Sequence, residues 1–218
     1  MAESSARRVV RRIEAYWSDT NRPELVDDTL VLVHRRDHPA VRIACVMEPV
    51  VTGEIVTELM ARYPRLAYIA NIHQRPRVLG VVFGLCAAAG VGIGTTQRLG
   101  TVLSEEVMAD YVHRETRYQE RAIRQHRQVE ALERVDDSCY RILRYDLNPV
   151  VVFLDYVYEL SADEIRRAID KYPYFDAYVT SNQYALAISP QARDVGVRAG
   201  RHILHWGEFM DHLTVPWE

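Results

Sequence analysis

The strongest constraint on how this chain can fold is a phrase that it uses twice. RYPRLAYIAN occupies 62–71, and KYPYFDAYVTSN occupies 171–182. In both, a helix-like run stops at Tyr-Pro and an apolar, strand-like run follows at once. Proline lacks an N–H and restricts the residue before it, so each Tyr-Pro marks a helix end. The two phrases fix a longer register. Pro39 and Pro149, Glu54 and Glu164, Ile55 and Ile165, Gly90 and Gly200, Ile93 and Ile203, and Leu103 and Leu213 are each 110 residues apart. Tyr63-Pro64 and Tyr172-Pro173 are 109 apart, and Val26-Asp27-Asp28 answers to Val135-Asp136-Asp137. Single-residue gaps hold this register, so the expectation is an internal duplication. Two copies are too few for a solenoid, and the expected form is a pseudo-dimer, resembling a homodimer fused in one chain.

Periodicity supplies the elements. Val9, Val10, Ile13 and Trp17 recur at helical spacing and predict a helix over 5–17, with arginines opposite. A polar break follows at 18–23. Strands are expected over 29–34 and 41–47, separated by the turn Asp37-His38-Pro39. Thr52 is placed to cap a helix over 52–63. A strand over 66–72, a helix over 78–89 stopped by Gly90, a strand over 91–95 and a short helix or turn over 97–103 complete the first copy. The segment 104–134 is highly charged and has neither Pro nor Gly. It is expected to form one long helix or two. The predicted fold class is therefore α/β, with two α-β-β-α-β-α-β halves joined by a long charged helix. The divisions fall at 1–103, 104–134 and 135–218.

Bulk properties set the remaining bounds. With 48% hydrophobic and 26% charged residues, 218 residues can bury a sizeable core. A formal net charge of −3 gives no global positive field that would advertise nucleic-acid binding. Cys45, Cys86 and Cys139 are odd in number and far apart, which predicts reduced thiols and a cytoplasmic location. No signal-peptide core and no apolar run of membrane-spanning length occur in the sequence, so no membrane partner is expected. Among the 27 basic residues, Lys171 is the only lysine.

The second copy also carries a resemblance. Val179-Thr180-Ser181, Ser189-Pro190-Gln191-Ala192, Gly196-Val197 with His202-Ile203-Leu204, and Trp206-Gly207-Glu208-Phe209 punctuate roughly the last 70 residues. In that order they resemble the core of Mrr-type members of the restriction endonuclease-like superfamily. Such cores run from a signature strand through helix, strand, helix and strand to a final helix. The resemblance implies an Asp and the Glu of a Glu-x-Lys pair holding Mg²⁺, which activates water, with the Lys assisting the nucleophile or the developing charge. Here the Glu and Lys places fall on Leu154 and Tyr156, and the first copy's strand over 43–48 lacks the pair too. Asp146, Asp155 and Glu159 remain as candidate carboxylates for a divergent site.

Other constellations read more plainly. Gly90-Val-Gly-Ile-Gly94 is not a phosphate loop, because it leads into a strand and no Gly-Lys-Ser/Thr follows. His202, His205 and His212 with Glu208 and Asp211 are dense in potential ligands, but strand alternation turns His202 and His205 to opposite faces. No metal site is expected there. Arg7, Arg8, Arg11 and Arg12 form a basic face that could contact phosphates. Arg114, Arg117, Arg121, Arg124 and Arg127 are interleaved with Glu115, Glu120 and Glu130, which predicts a salt-bridged, solvated surface.

The expected function is that of a non-catalytic protein derived from a nuclease fold. It would bind DNA or RNA through Arg7, Arg8, Arg11 and Arg12, or serve as a subunit or scaffold with a protein partner or another copy of itself. No cofactor is expected. Two alternatives stand beside it. One is a divergent metal-dependent nuclease, which would need Mg²⁺. The other is a nucleotide or small-ligand sensor with paired Rossmann-like halves.

Overall fold

The computed structural model describes residues 3–172, 174–182 and 188–217. Pro173, half of the second Tyr-Pro stop, lies outside the described residues. The chain divides into two compact units, Met1–Tyr111 and Val112–Glu218.

The first unit opens with α1 (Ser5–Trp17), whose Ala6, Val9 and Ile13 are buried and whose Ser4 caps the Arg7 N–H. Strands β1 (Asn21–Leu25), β2 (Leu30–Arg35) and β3 (Val41–Val46) form an antiparallel meander. After β4 (Val50–Val51), α2 (Gly53–Arg62) crosses to β5 (Leu66–Asn71), parallel to β3. Then β6 (Arg77–Val78), α3 (Gly80–Ala89), β7 (Gly92–Thr95) and α4 (Leu99–Leu103) follow. The sheet order is β1-β2-β3-β5-β7, and β4 pairs with β6 apart from it. One core joins α1 and α4 to one face of the sheet, and a second joins α2 and α3 to the other.

The second unit contains α5 (Arg114–Arg124), β8 (Val129–Arg134), β9 (Cys139–Arg144), β10 (Leu147–Asp155), α6 (Ala162–Lys171), β11 (Ala177–Thr180), α7 (Pro190–Arg198), β12 (His202–His205) and α8 (Trp206–His212). Its sheet runs β8-β9-β10-β11-β12, with two antiparallel pairings followed by two parallel ones. Ile123 of α5 and Phe209 of α8 pack on one face, and Ile165 of α6 and Ala192 of α7 on the other. Both units are thus mixed α/β layers. Among the described residues, no helix is long and apolar enough to cross a membrane.

Two expectations need correction. The segment 104–134 is no long helix: it holds a 3₁₀ turn at Met108–Asp110, the eleven-residue α5, and the strand β8. Glu, Ala, Leu and Arg favour helix locally, but pairing along β9 overrides that weak preference. Likewise the supposed break at 18–23 runs into β1. Pro23, which has no N–H to donate, is tolerated there because β1 is an edge strand with a neighbour on one side only. Each five-stranded sheet therefore has one more strand than the predicted α-β-β-α-β-α-β pattern, and the first unit adds the short β4–β6 pair.

Several side-chain arrangements occur in both units. Arg35, at the end of β2, donates through Nε to the Pro39 carbonyl (2.9 Å) and through Nη1 to those of Glu105 (2.6 Å) and Leu103 (3.4 Å). Arg144, at the end of β9, donates through Nε and Nη2 to the Asn148 carbonyl (3.0 and 2.7 Å) and through Nη1 to those of Val215 (2.8 Å) and Leu213 (3.4 Å). Both arginines pin the closing segment of their unit to its central hairpin. The Tyr63 hydroxyl donates to Asp27 (3.0 Å), as the Tyr172 hydroxyl does to Asp137 (2.8 Å). Val51 pairs with Val78 as Leu160 does with Ile188, both parallel. Gly90 and Gly200 follow α3 and α7 at φ 66° and 65°, the left-handed region that glycine enters freely.

Candidate functional site

Where a strand–helix–strand unit carries chemistry, it usually lies beyond the carboxyl ends of the parallel strands. In the second unit those ends are Asp155 on β10 and Thr180 on β11, which are register partners. Alternation along β10 puts Asp155 on the same face as Phe153, toward α6 and α7. Its Oδ2 accepts the Tyr178 hydroxyl at 2.5 Å, and its Oδ1 accepts the Tyr156 N–H at 2.7 Å. Burial pushes the Asp155 carboxyl above its ordinary range, and Glu164 adds to that. The Tyr178 and Tyr156 hydrogen bonds and the Lys171 charge offset it in part. Burial, with the adjacent Asp155 carboxylate, drives the Tyr178 phenol strongly upward. The pair is therefore a half-buried carboxylate tied to a buried phenol.

The other candidate carboxylates do not join it. Asp146 sits in the β9–β10 hairpin at φ 57°, at the opposite end of β10. Nine residues at about 3.3 Å each place it roughly 25–30 Å from Asp155. Glu159 is exposed in the loop before α6. Leu154 is only 5% exposed and packs in the core on the α5 side, while Tyr156 lies beyond the strand and is exposed. Lys171 pairs with Asp137 at 3.3 Å and stands over the Tyr172 ring at 4.5 Å. Among the described residues, no three His, Cys, Asp or Glu side chains are grouped to hold a metal ion.

On the opposite face, the buried Gln119 amide donates to Ser181 Oγ at 2.8 Å, and Ser181 donates to Glu115 Oε1 at 3.0 Å. Sequence reasoning treated Glu115 as part of a solvated face and missed this contact. The available signal was the line Glu115, Gln119, Ile123, spaced by four and ending in a buried apolar residue.

The remaining motifs have structural roles. Gly92 and Gly94 leave room for Tyr68 on the neighbouring strand: a Cβ at Gly92 would meet the ring at 2.6 Å. His205 caps α8 and forms a capping box with Glu208. The His202 and His212 rings stand 6.3 Å apart, each beside Trp217.

The arginine faces come out differently from expectation. On α1, Arg7 and Arg11 are exposed, while Arg8 and Arg12 are half-buried. Glu3 approaches Arg11 at 3.2 Å and Arg8 at 3.7 Å, and the Arg12 guanidinium stands 5.8 Å from the Tyr16 ring. On α5, Glu120 turns to accept the Tyr140 hydroxyl at 2.9 Å, and Glu115 turns to Ser181. Both glutamates thus leave the arginine face, and Arg114, Arg117, Arg121 and Arg124 remain exposed.

Comparisons with protein-family models, with curated proteins and with solved structures return no match.

Proposed function

We propose that this chain is an internally duplicated, nuclease-fold-derived protein that binds nucleic acid without cleaving it. The observation that carries the reading is the fate of the signature strand. Leu154 occupies the expected glutamate position and is committed to the core. The next carboxylate, Asp155, is half-buried and held by the Tyr178 hydroxyl, and the sole lysine is engaged with Asp137. A metal-dependent hydrolase needs carboxylates that converge on an open coordination site. Asp146, Asp155 and Glu159 are separated instead.

The duplication is supported by contacts rather than by sequence identity. The paired arginine staples, the Tyr–Asp bonds, the parallel bridges and the left-handed glycines recur at spacings of 109 or 110 residues. The nuclease ancestry is supported by the element order of the second unit, strand–helix–strand–helix–strand–helix from β10 to α8. The exposed arginines of α1 and α5 support the polyanion partner. In this role the protein would act alone or as a non-catalytic subunit of a larger nucleic-acid system.

The test uses the purified full chain with labelled single-stranded and duplex DNA and RNA, with Mg²⁺ or Mn²⁺ present. The expected result is salt-dependent binding and intact substrate. Metal-dependent cleavage that disappears in Asp155→Asn would overturn the non-catalytic reading. Absence of binding at low salt would overturn the nucleic-acid reading.

A further inference from the structure

We infer that the outer face of α5 is the surface that follows the phosphate backbone of one nucleic-acid strand. This rests on the nucleic-acid reading above and names its site. Arg114, Arg117, Arg121 and Arg124 are spaced by three, four and three residues. At about 100° per residue they fall within an arc of roughly 80°, forming a single stripe. All four are exposed. Among the described residues none of them forms an ion pair, so each charge is available to a partner.

Two features set the stripe apart from an ordinary solvated helix face. First, its own acids have left it: Glu115 is held by Ser181 at 3.0 Å and Glu120 by Tyr140 at 2.9 Å. One edge of the stripe is flanked by Tyr118 and Gln125, neither of them acidic, and the other by Glu120, which is engaged by Tyr140 and by Arg134 at 3.9 Å. Second, α1 bears four arginines but keeps Glu3 against two of them. The stripe on α5 is therefore the less compensated of the two, and its complement is a linear polyanion. From Arg114 to Arg124 the helix rises about 15 Å at roughly 1.5 Å per residue. That length matches about four phosphates of one strand at roughly 3.4 Å per nucleotide along a duplex axis. Guanidinium groups suit such contacts because their planar fork meets phosphate oxygens two at a time.

The experiment measures binding of the full chain to single-stranded and duplex oligonucleotides by fluorescence anisotropy between 50 and 200 mM salt. Four phosphate contacts predict a contribution of about −2.8 to the slope of log affinity against log salt for a single strand, and about −3.6 for a duplex. Across that salt range the stripe alone would change affinity by about 50- to 150-fold. The variant Arg114→Gln/Arg117→Gln/Arg121→Gln/Arg124→Gln is expected to lose that slope and to keep the parent's melting temperature, since all four side chains are exposed. Arg7→Gln/Arg11→Gln is expected to change the slope less. If the fourfold variant binds with the parent's affinity and slope, α5 is not the surface, while the nucleic-acid reading survives. If the parent binds no oligonucleotide but binds anionic phosphatidylserine vesicles through these arginines, both the inference and the reading fall.

Discussion

Tyr68 in the first unit and Ala177 in the second hold the same place, opposite the first residue of the last sheet strand. Tyr68 faces Gly92, and Ala177 faces His202. The large ring lies over two glycines, Gly92 and Gly94, whereas the small alanine lies beside His202 and Leu204. Side-chain volume sits on β5 in the first unit and on the last strand in the second, with the same pairing, as close packing requires. Carbonyl-binding arginines behave in the opposite way. Arg35 and Arg144 hold matching groups with little change. The contrast teaches which constraints are replaceable. Core volume can be redistributed between strands, but a closing segment whose carbonyls are out of water must keep its donor.

The largest effect expected from breaking this comparison is at the staples. Arg35 is 8% exposed and Arg144 4% exposed. Replacing either with alanine strands several carbonyls that now accept charge-assisted bonds. A loss of about 3 kcal/mol is expected for each, from contributions of roughly 1–3 kcal/mol per unsatisfied buried group. Arg144→Ala should be the more severe, because its guanidinium also stands 5.7 Å from the Trp217 ring. Hydrogen exchange of the full chain separates the two. Arg35→Ala should expose the amides around Leu103, and Arg144→Ala those around Leu213, each with the other unit protected. Equal loss in both units for either variant would break the proposed one-to-one correspondence.

A smaller effect isolates the volume exchange. A Cβ on Gly94 would meet the Tyr68 hydroxyl oxygen at 2.3 Å, while the next nearest atom, Tyr68 Cζ, is at an ordinary 3.5 Å. Gly94→Ala is therefore expected to destabilise by about 1–3 kcal/mol, the usual range for overpacking. In a Tyr68→Phe background the clashing oxygen is gone, and most of that loss should vanish. A double-mutant cycle by denaturant unfolding measures this coupling. Additive losses would show that Gly94 is needed for something other than Tyr68.

The sequence made some of this legible and hid the rest, for physical reasons. Ser5–Trp17 was readable because its apolar stripe and its cap are local. Thr52 as an N-cap and Gly90 as a helix stop were readable for the same reason. The strands β1 and β8 were not, because NRPEL and VEALER have little strand propensity and become strands only by pairing with a neighbour. Asp155 was visible as a strand-end carboxylate. Its partner Tyr178 was not, since that contact depends on the parallel register between β10 and β11. The arginine staples were equally hidden, because Arg35 reaches carbonyls about seventy residues away. The α5 arginines are exposed as expected, but the partners of Glu115 and Glu120 were hidden, because interleaving along the sequence does not say which way a glutamate turns.

The smallest effect tests the two units through their aspartates, which shift in opposite directions. Asp27 has burial pulling its carboxyl upward. The Thr29 N–H, the Tyr63 and Thr29 hydroxyls and the Arg62 charge outweigh that and hold it below its ordinary value near 3.8. A group depressed by folding contributes stability that is present above the unfolded value and lost as pH falls through the folded one. Asp155 is raised, chiefly by burial. Its contribution is present below the unfolded value near 3.8 and is lost as pH rises through its folded value. The register explains the asymmetry: the position of Asp155, whose carbonyl accepts the Ser181 N–H at 2.9 Å, is held in the first unit by Val46, whose carbonyl accepts the Ile72 N–H at 2.8 Å. The first unit thus has no acid at that strand end to desolvate. Melting temperatures of Asp27→Asn and Asp155→Asn, each compared with the parent from pH 3 to pH 7, should therefore diverge. With rising pH, Asp155→Asn should gain on the parent and Asp27→Asn should fall behind it. If both variants drift the same way, the half-buried carboxylate at the end of β10 is not ionising under strain, and the case against an open catalytic site there loses one of its supports.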